Sequence, residues 1–356
     1  MKDLLGINSK KHIEEIGDNM EKFYINVAMG TGGNIALSSF ITAVKEKYPD
    51  KYKFYVCSPY FDLFFSNESV DGVYKPNEIR DFIFDCNSNK GKLILHRLYD
   101  MDGFVKKQLT YPMAWAELCG IKWEKEKAAS TVSKMNPVKK YPYLKGQVDS
   151  MMKQIKDNGF EDFIIVNFEG GVSPLQQVPP KIIKNEKGED VQVPDWNQVP
   201  DNYDNEPLAR HYPRELAQEF CNKFREAHPR TAIVNYSLPN QGNYDGTFKF
   251  TVPYLAYYEL AKLPECSGIV AIDSSLQHLV AGLTKGVIIW GHSSNNEGDV
   301  LPFGYTSYKN IIQPCRRDDI LFFSMLGASG AKVDYIKPED LLKEVDAYLF
   351  GKEETK

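Results

Sequence analysis

Two turns in this chain carry residue types suited to holding a polar or anionic ligand. The first is Met29-Gly30-Thr31-Gly32-Gly33-Asn34, set between an apolar run and a helical pattern. Glycines let a backbone come close to a ligand, and the first amides of a helix are unspent donors with positive dipole character. The second is Ile272-Asp273-Ser274-Ser275-Leu276-Gln277-His278, where an apolar strand runs into a carboxylate and two hydroxyls able to cap the helix that follows. The amides at Ser274 and Ser275 and the imidazole of His278 would face one anion, a diphosphate for instance, while Asp273 accepts from ring hydroxyls. Each turn also has an ordinary structural reading, a tight turn in one case and an N-cap with a satisfied histidine in the other. The first falls short of the GxGxxG dinucleotide fingerprint, and no acid closes the second strand to hold a ribose, which disfavours a dehydrogenase.

The elements that would position these turns follow from periodicity. A helix is expected over about 8–20, then a buried strand at 23–28, the glycine turn, a helix stopped by Tyr48-Pro49-Asp50, and a strand at 53–57. Strand, glycine loop, helix and strand make a βαβ unit with a parallel sheet and a right-handed crossover. Further strands are expected at 82–84 and 93–95, and a helix at about 104–119. The stretch 122–145 holds seven lysines and two prolines against two acids, the composition of a solvated crossing. The rhythm restarts with a strand at 162–168 that ends in Glu169-Gly170-Gly171. A Pro-, Asp- and Asn-rich excursion at 176–209 is too long for an ordinary connection and reads as a loop or lid. Helix 213–227, strand 231–236, helix 254–262, strand 268–272, helix 276–284 and strand 286–290 then alternate, and an amphipathic helix closes the chain. The domains expected are 1–150, 151–335 with the insertion 176–209, and a terminal helix and tail at 336–356.

The chain has 356 residues, enough for two ordinary globular units, with 42% apolar and 26% charged residues. That excludes disorder, and no apolar run is long enough to span a bilayer. The amino-terminal stretch lacks the apolar core of a signal peptide, so the cytoplasm is the expected location. A formal charge of −5 offers no global attraction to nucleic acid or an anionic membrane. The six cysteines and six histidines are scattered, with no CxxC, HxH or HxxxH pair, so neither a disulfide framework nor a tightly held transition metal is expected.

Several motifs in order resemble family nine glycosyltransferases, the heptosyltransferase-like group. DSSLQHLVAGLTKGVIIWG at 273–291 resembles that family's D-[TS]-G-x-x-H-L-A-A-A-L-G-K-P-x-V-x-L-F-G. Downstream, Pro302-Phe303-Gly304-Tyr305, Asn310-Ile311 and Pro314-Cys315 are similar to its FGY, N-[IL] and PC elements. Arg210-His211-Tyr212-Pro213 resembles its K-x-W-P, and Gly33-Asn34-Ile35-Ala36-Leu37-Ser38-Ser39 its G-D-x-x-x-[ST]-[TP]. The resemblance implies an α/β GT-B architecture, two Rossmann-like doubly wound domains facing across a cleft. It implies acceptor binding mainly by the first domain, through Gly32, Gly33 and Asn34, and nucleotide-sugar binding by the second. It further implies inverting, metal-independent transfer, with the nucleotide-sugar as co-substrate and no other cofactor. Arg210 would fork onto the diphosphate beside His278, Ser274 and Ser275, and Asp273 would orient the donor sugar.

Two departures bear on chemistry. The family's base is the aspartate of the G-D pair, and an amide at Asn34 takes no proton, so it can only position. Another carboxylate must then serve: Asp102 first, with Asp100 and Asp62 in the same half and Glu169 from the donor side. Asp100-Met101-Asp102 is also the one formal DxD, without further ligands around it in sequence. The family's glycine after D-[TS] is Ser275 here, which limits how closely a phosphate can approach and shifts the donor away from ADP-heptose. Three functions remain. One is transfer to a glycan or lipid-linked hydroxyl. Another is transfer to hydroxymethylated bases of phage-type DNA, using the lysines of 122–145 with Trp123, Tyr141 and Tyr143. The third is nucleotide-sugar binding without turnover.

Overall fold

The computed structural model describes residues 20–27, 29–95, 98, 101, 111–122, 132–169, 180–184, 190–194, 212–237, 242, 244–272, 274–290, 307–312 and 335–352. The chain divides into two compact units. One comprises Met1–Asp149, Pro253–Glu259 and Asp299–Thr306, the other Ser150–Val252, Leu260–Gly298 and Ser307–Lys356.

The first unit is built on strands β1 (Glu21–Asn26), β2 (Tyr52–Cys57), β3 (Gly72–Tyr74) and β4 (Lys92–Ile94), all parallel, in the order β3-β2-β1-β4. The central run Phe23-Tyr24-Ile25 is wholly buried, as a parallel strand covered on both faces must be. Helix α1 (Thr31–Lys47) starts directly at the glycine turn, and its residues from Gly33 to Thr42 are buried. Short α2 (Phe61–Phe65), α3 (Ile79–Ser88) and α4 (Tyr111–Cys119) complete the layers.

The strand expected at 82–84 is in fact part of α3. Phe82 and Cys86, one helical turn apart, are buried, with the Phe82 ring edge-on to Tyr24 at 5.5 Å and Tyr74 at 5.3 Å. Phe84, at the end of the same apolar triplet, is 70% exposed. Three apolar residues in a row satisfy both periods, and only the longer spacing separates them. The helices expected at about 8–20 and 104–110 lie outside the described residues.

Between the units in sequence, 122–145 is more than a solvated crossing. It contains α5 (Pro137–Lys140), and α6 (Tyr143–Asp157) begins before its end. Met135 is buried, and its N–H donates to the Tyr258 hydroxyl at 3.0 Å.

The second unit carries β5 (Asp162–Asn167), β8 (Thr231–Asn235), β9 (Phe248–Lys249), β10 (Cys266–Ile272), β11 (Gly286–Trp290) and β12 (Tyr308–Ile312) in one parallel sheet, ordered β12-β11-β10-β5-β8-β9. The excursion at 176–209 holds an antiparallel hairpin, β6 (Pro180–Lys184) and β7 (Asp190–Pro194), where only a loop was expected. Helices α7 (Arg214–Ala227), α8 (Tyr254–Leu260), α9 (Ser275–Leu279) and α10 (Pro338–Leu349) follow in chain order, α8 up to Glu259 belonging to the first unit. Alternate residues Ile164, Val166 and Phe168 of the β5 segment, with Val270 and Ile272 of β10, form one core with Ala217, Phe220 and Phe224 of α7 and Leu341 and Val345 of α10. The expected helix 276–284 is only five residues long, which leaves it little macrodipole.

Candidate active site

Doubly wound sheets bind ligands beyond the carboxyl ends of their strands, at the point where strand order reverses. In the first unit the chain winds from β1 to β2 and β3, then returns to the other side of β1 as β4, so the reversal lies between β1 and β4. The turn leaving β1 is Met29-Gly30-Thr31-Gly32-Gly33-Asn34. In the second unit the chain winds from β5 to β8 and β9, then crosses to β10, β11 and β12, and the reversal lies between β5 and β10. The turns leaving those strands contain Glu169 and Ser274-Ser275. Topology thus selects the two turns singled out by residue type.

The first turn is fastened from within. Asn34 is fully buried; its Nδ2 donates to the carbonyls of Met29 at 2.8 Å and Gly30 at 3.0 Å, and its Oδ1 accepts from Ser58 Oγ at 2.7 Å. Ser58 Oγ in turn accepts from the Tyr60 amide at 2.9 Å. Every polar atom of the Asn34 amide is therefore spent on the protein, and the residue expected to position an acceptor instead holds the loop. Two carbonyl oxygens facing one side chain call for a donor, which is a physical reason for an amide where the family pattern has a carboxylate. Gly33 is buried, and a Cβ there would stand 2.9 Å from Met29 Cβ, so the glycine permits Met29 to fold back over the helix start. Gly32 is half-buried and Gly30 exposed. Asp100 and Asp102, which follow β4, lie outside the described residues. Asp62 already accepts from the Tyr254 hydroxyl at 2.7 Å and from the Leu63 amide at 3.0 Å.

The second site is assembled from three strand ends. Asn167, the last residue of β5, donates from Nδ2 to the Glu169 carbonyl at 3.0 Å and the Tyr236 carbonyl at 2.6 Å, joining the turns after β5 and β8. Glu169 Oε1 accepts from the Gly242 amide at 3.0 Å and the Tyr244 hydroxyl at 3.2 Å. Gly242 has φ +59°, a left-handed conformation that glycine adopts without strain, and its amide is aimed at the carboxylate in that conformation. Tyr244 is buried, and desolvation, reinforced by the Glu169 charge, holds its phenol protonated far above its ordinary range. Ser275 Oγ lies 3.1 Å from the Tyr236 hydroxyl. Ser274 is buried at the N-cap of α9 but makes no side-chain cap bond, and its Oγ has no partner among the described residues. His278 is buried within α9, with 3% of its surface accessible.

Arg210 and Asp273 lie outside the described residues. Tyr212 donates its amide to the Phe168 carbonyl at 2.9 Å and packs on the Phe168 ring at 5.5 Å, beside Glu169. Tyr212 and Ser274, one residue from each motif, thus stand at the ends of the adjacent strands β5 and β10. Asn167, Tyr236, Tyr244 and Lys249 escaped the reading from sequence. Lys249 closes β9, and burial lowers its ammonium below the ordinary lysine range while the Glu169 charge opposes the shift. A signal existed for the first two: Val166-Asn167-Phe168 and Val234-Asn235-Tyr236 end buried strands in the same way, with a polar residue at the carboxyl end.

Four of the lysines of 122–145 are engaged locally. Lys134, Lys139 and Lys145 pair with Glu46, Glu68 and Asp149, and Lys140 lies over the Phe65 ring at 4.7 Å. Such exposed pairs are weak. Among the described residues no three of His, Cys, Asp and Glu converge. No described helix is long and apolar enough to cross a membrane.

No family model and no curated protein matches the sequence. Solved structures do. Over 93% of this chain and 98% of the other, the glycosyl transferase family 9 protein of Veillonella parvula superposes with a TM-score of 0.59 at 11% identity. The ADP-heptose lps heptosyltransferase II of E. coli superposes over 93% of this chain and 99% of its own, with a TM-score of 0.54 at 12% identity. With two parallel Rossmann-like sheets, each wound to both sides of its first strand, the chain has the GT-B fold of these glycosyltransferases.

Proposed function

We propose that the protein is an inverting glycosyltransferase that moves a sugar from a nucleotide-diphosphate sugar to a hydroxyl of a glycan or lipid-linked acceptor. One observation carries the reading: Tyr212 and Ser274, one residue from each of the two family-like motifs, stand at the ends of adjacent strands where the second sheet reverses. The fold shared with the Veillonella and E. coli proteins supports it at the level of architecture.

In this reading the acceptor oxygen attacks the anomeric carbon as the bond to the diphosphate breaks. The nucleoside diphosphate leaves with the bonding electrons, and the hydroxyl proton passes to a carboxylate. Arg210 meets the charge that builds on the diphosphate, and the step uses no metal. Asn34 cannot take the proton. Asp62 and Glu169 already accept two hydrogen bonds each, so Asp102, with Asp100 beside it, is the base. Asp102→Asn should lower kcat by about a hundredfold or more with little change in donor affinity. Full activity in both Asp102→Asn and Asp100→Asn would remove this assignment.

Binding without turnover is the second reading, favoured by the fully committed Asn34 amide where a base is expected. Incubation with ADP-, GDP-, UDP- and CMP-sugars separates the two. Slow donor hydrolysis supports the transferase, and tight binding with no hydrolysis or transfer supports the binder. Failure of every donor to bind overturns both. The DNA-directed version requires affinity for duplex DNA that falls steeply with salt, and no binding at low salt removes it.

A further inference from the structure

The corner where β5, β8 and β10 end holds polar atoms that the packing of the sheet leaves unused. Tyr236 follows β8, Ser275 follows β10, and β5 lies between those strands. Strands two apart are separated by about 9.6 Å. The 3.1 Å approach of the Tyr236 hydroxyl to Ser275 Oγ therefore bridges the end of β5. There Asn167 spends Nδ2 on the Tyr236 and Glu169 carbonyls, but its Oδ1 is buried with no partner among the described residues. The same holds for Ser274 Oγ. Asn167 and Ser274 are 3% and 6% exposed. Two bare buried oxygens at the ends of adjacent strands are costly unless something pairs with them.

The donor and acceptor pattern restricts what that something is. An amide oxygen only accepts, a serine hydroxyl donates and accepts, and the carboxylate of Glu169 stands in the same turn. A phosphate oxygen cannot donate to Asn167 Oδ1 and is repelled by Glu169. Vicinal hydroxyls can donate to the amide and exchange bonds with the serine together. We propose that Asn167, Ser274 and the Tyr236–Ser275 bridge form a diol-binding corner that selects the donor through vicinal hydroxyls, those of its ribose or those of its sugar. This rests on the donor-binding reading above and assigns specificity to residues of this chain that the family-like motifs do not single out, except for the two serines.

Calorimetric titration tests it with ADP, 2′-deoxy-ADP and ADP-glucose, and with UDP, 2′-deoxy-UDP and UDP-glucose. A ribose-reading corner makes the wild type favour the ribonucleotide over its deoxy form by about three- to tenfold; a sugar-reading corner makes it favour the nucleotide sugar over the nucleotide by a similar factor. Ser274→Ala and Tyr236→Phe should bring that ratio close to one while leaving the affinity for the less favoured ligand unchanged. Ser274→Ala removes a hydroxyl that bonds nothing in the fold, so its melting temperature reports that the unit is intact. A ratio unchanged in both variants, or a wild type that binds nucleotide without either preference, overturns the corner and leaves the donor reading standing. A wild type that binds no nucleotide overturns both.

Discussion

The turn after β1 and the turn after β10 each border the point where strand order reverses in their own sheet, yet they are finished differently. The first is closed by one amide, whose three hydrogen bonds of 2.7–3.0 Å consume all the polarity of Asn34. The second is closed by a hydroxyl pair and leaves Ser274 Oγ and Asn167 Oδ1 without partners among the described residues. A satisfied turn contributes rigidity, whereas an unsatisfied one holds desolvated groups in readiness for a ligand. The same strand end can serve as a fastening or as a receptor, and the count of unspent polar atoms tells which.

Substituting Asn34 should break the comparison most severely. Asn34→Asp places a carboxylate against two carbonyl oxygens and should cost about 3 kcal/mol in urea denaturation at pH 7. The folded state would then hold the proton more tightly than the unfolded chain, so the deficit should shrink as pH falls toward the unfolded aspartate value of about 4. A variant as stable as the parent at pH 7 would show that Asn34 is not the fastener. Gly33→Ala sets a methyl group against Met29 and should cost about 2 kcal/mol by overpacking. Met29→Ala in the same chain should recover part of that loss.

In the receptor turn the sign differs. Ser274→Ala should leave stability within about 0.5 kcal/mol of the parent, or raise it, because the lost hydroxyl has no partner to abandon. A loss near that of Asn34→Asp would erase the contrast between the turns. The smallest effect is expected from the thiols. Burial pushes Cys57 and Cys266 up to about 11 and Cys221 up to about 12, so all three stay neutral at pH 8. Peptide mapping after brief iodoacetamide treatment should find them unlabelled in the native protein and labelled in urea. Rapid native labelling of Cys57 would mean that the sheet of the first unit opens near the fastened turn.

Much of the scaffold was legible in the residues. The runs at 23–27, 162–168 and 268–272 are too apolar to be anything but buried strands, and glycines or small polar residues mark where each one ends. The α/β alternation and the places of the two turns follow from local periodicity, because a helix face or strand pleat repeats within a few residues. The triplet at 82–84 misled because it is shorter than either repeat needs. The five-residue length of α9 was equally hidden, since the apolar pattern continues past Leu279 into a turn.

The sequence by itself determined the α/β alternation, the central strands of both sheets, the two turns that follow β1 and β10, and the kinds of side chain they offer. Only the tertiary structure decided which of those side chains are consumed by the fold and which remain for a ligand. Asn34 meets Ser58, Asn167 meets Tyr236, and Tyr236 meets Ser275 across separations that no local period encodes. These meetings depend on strand order and register, which arise from burying both faces of each sheet at once. Hydrogen bonds between distant turns exist only after that burial has brought the strand ends side by side.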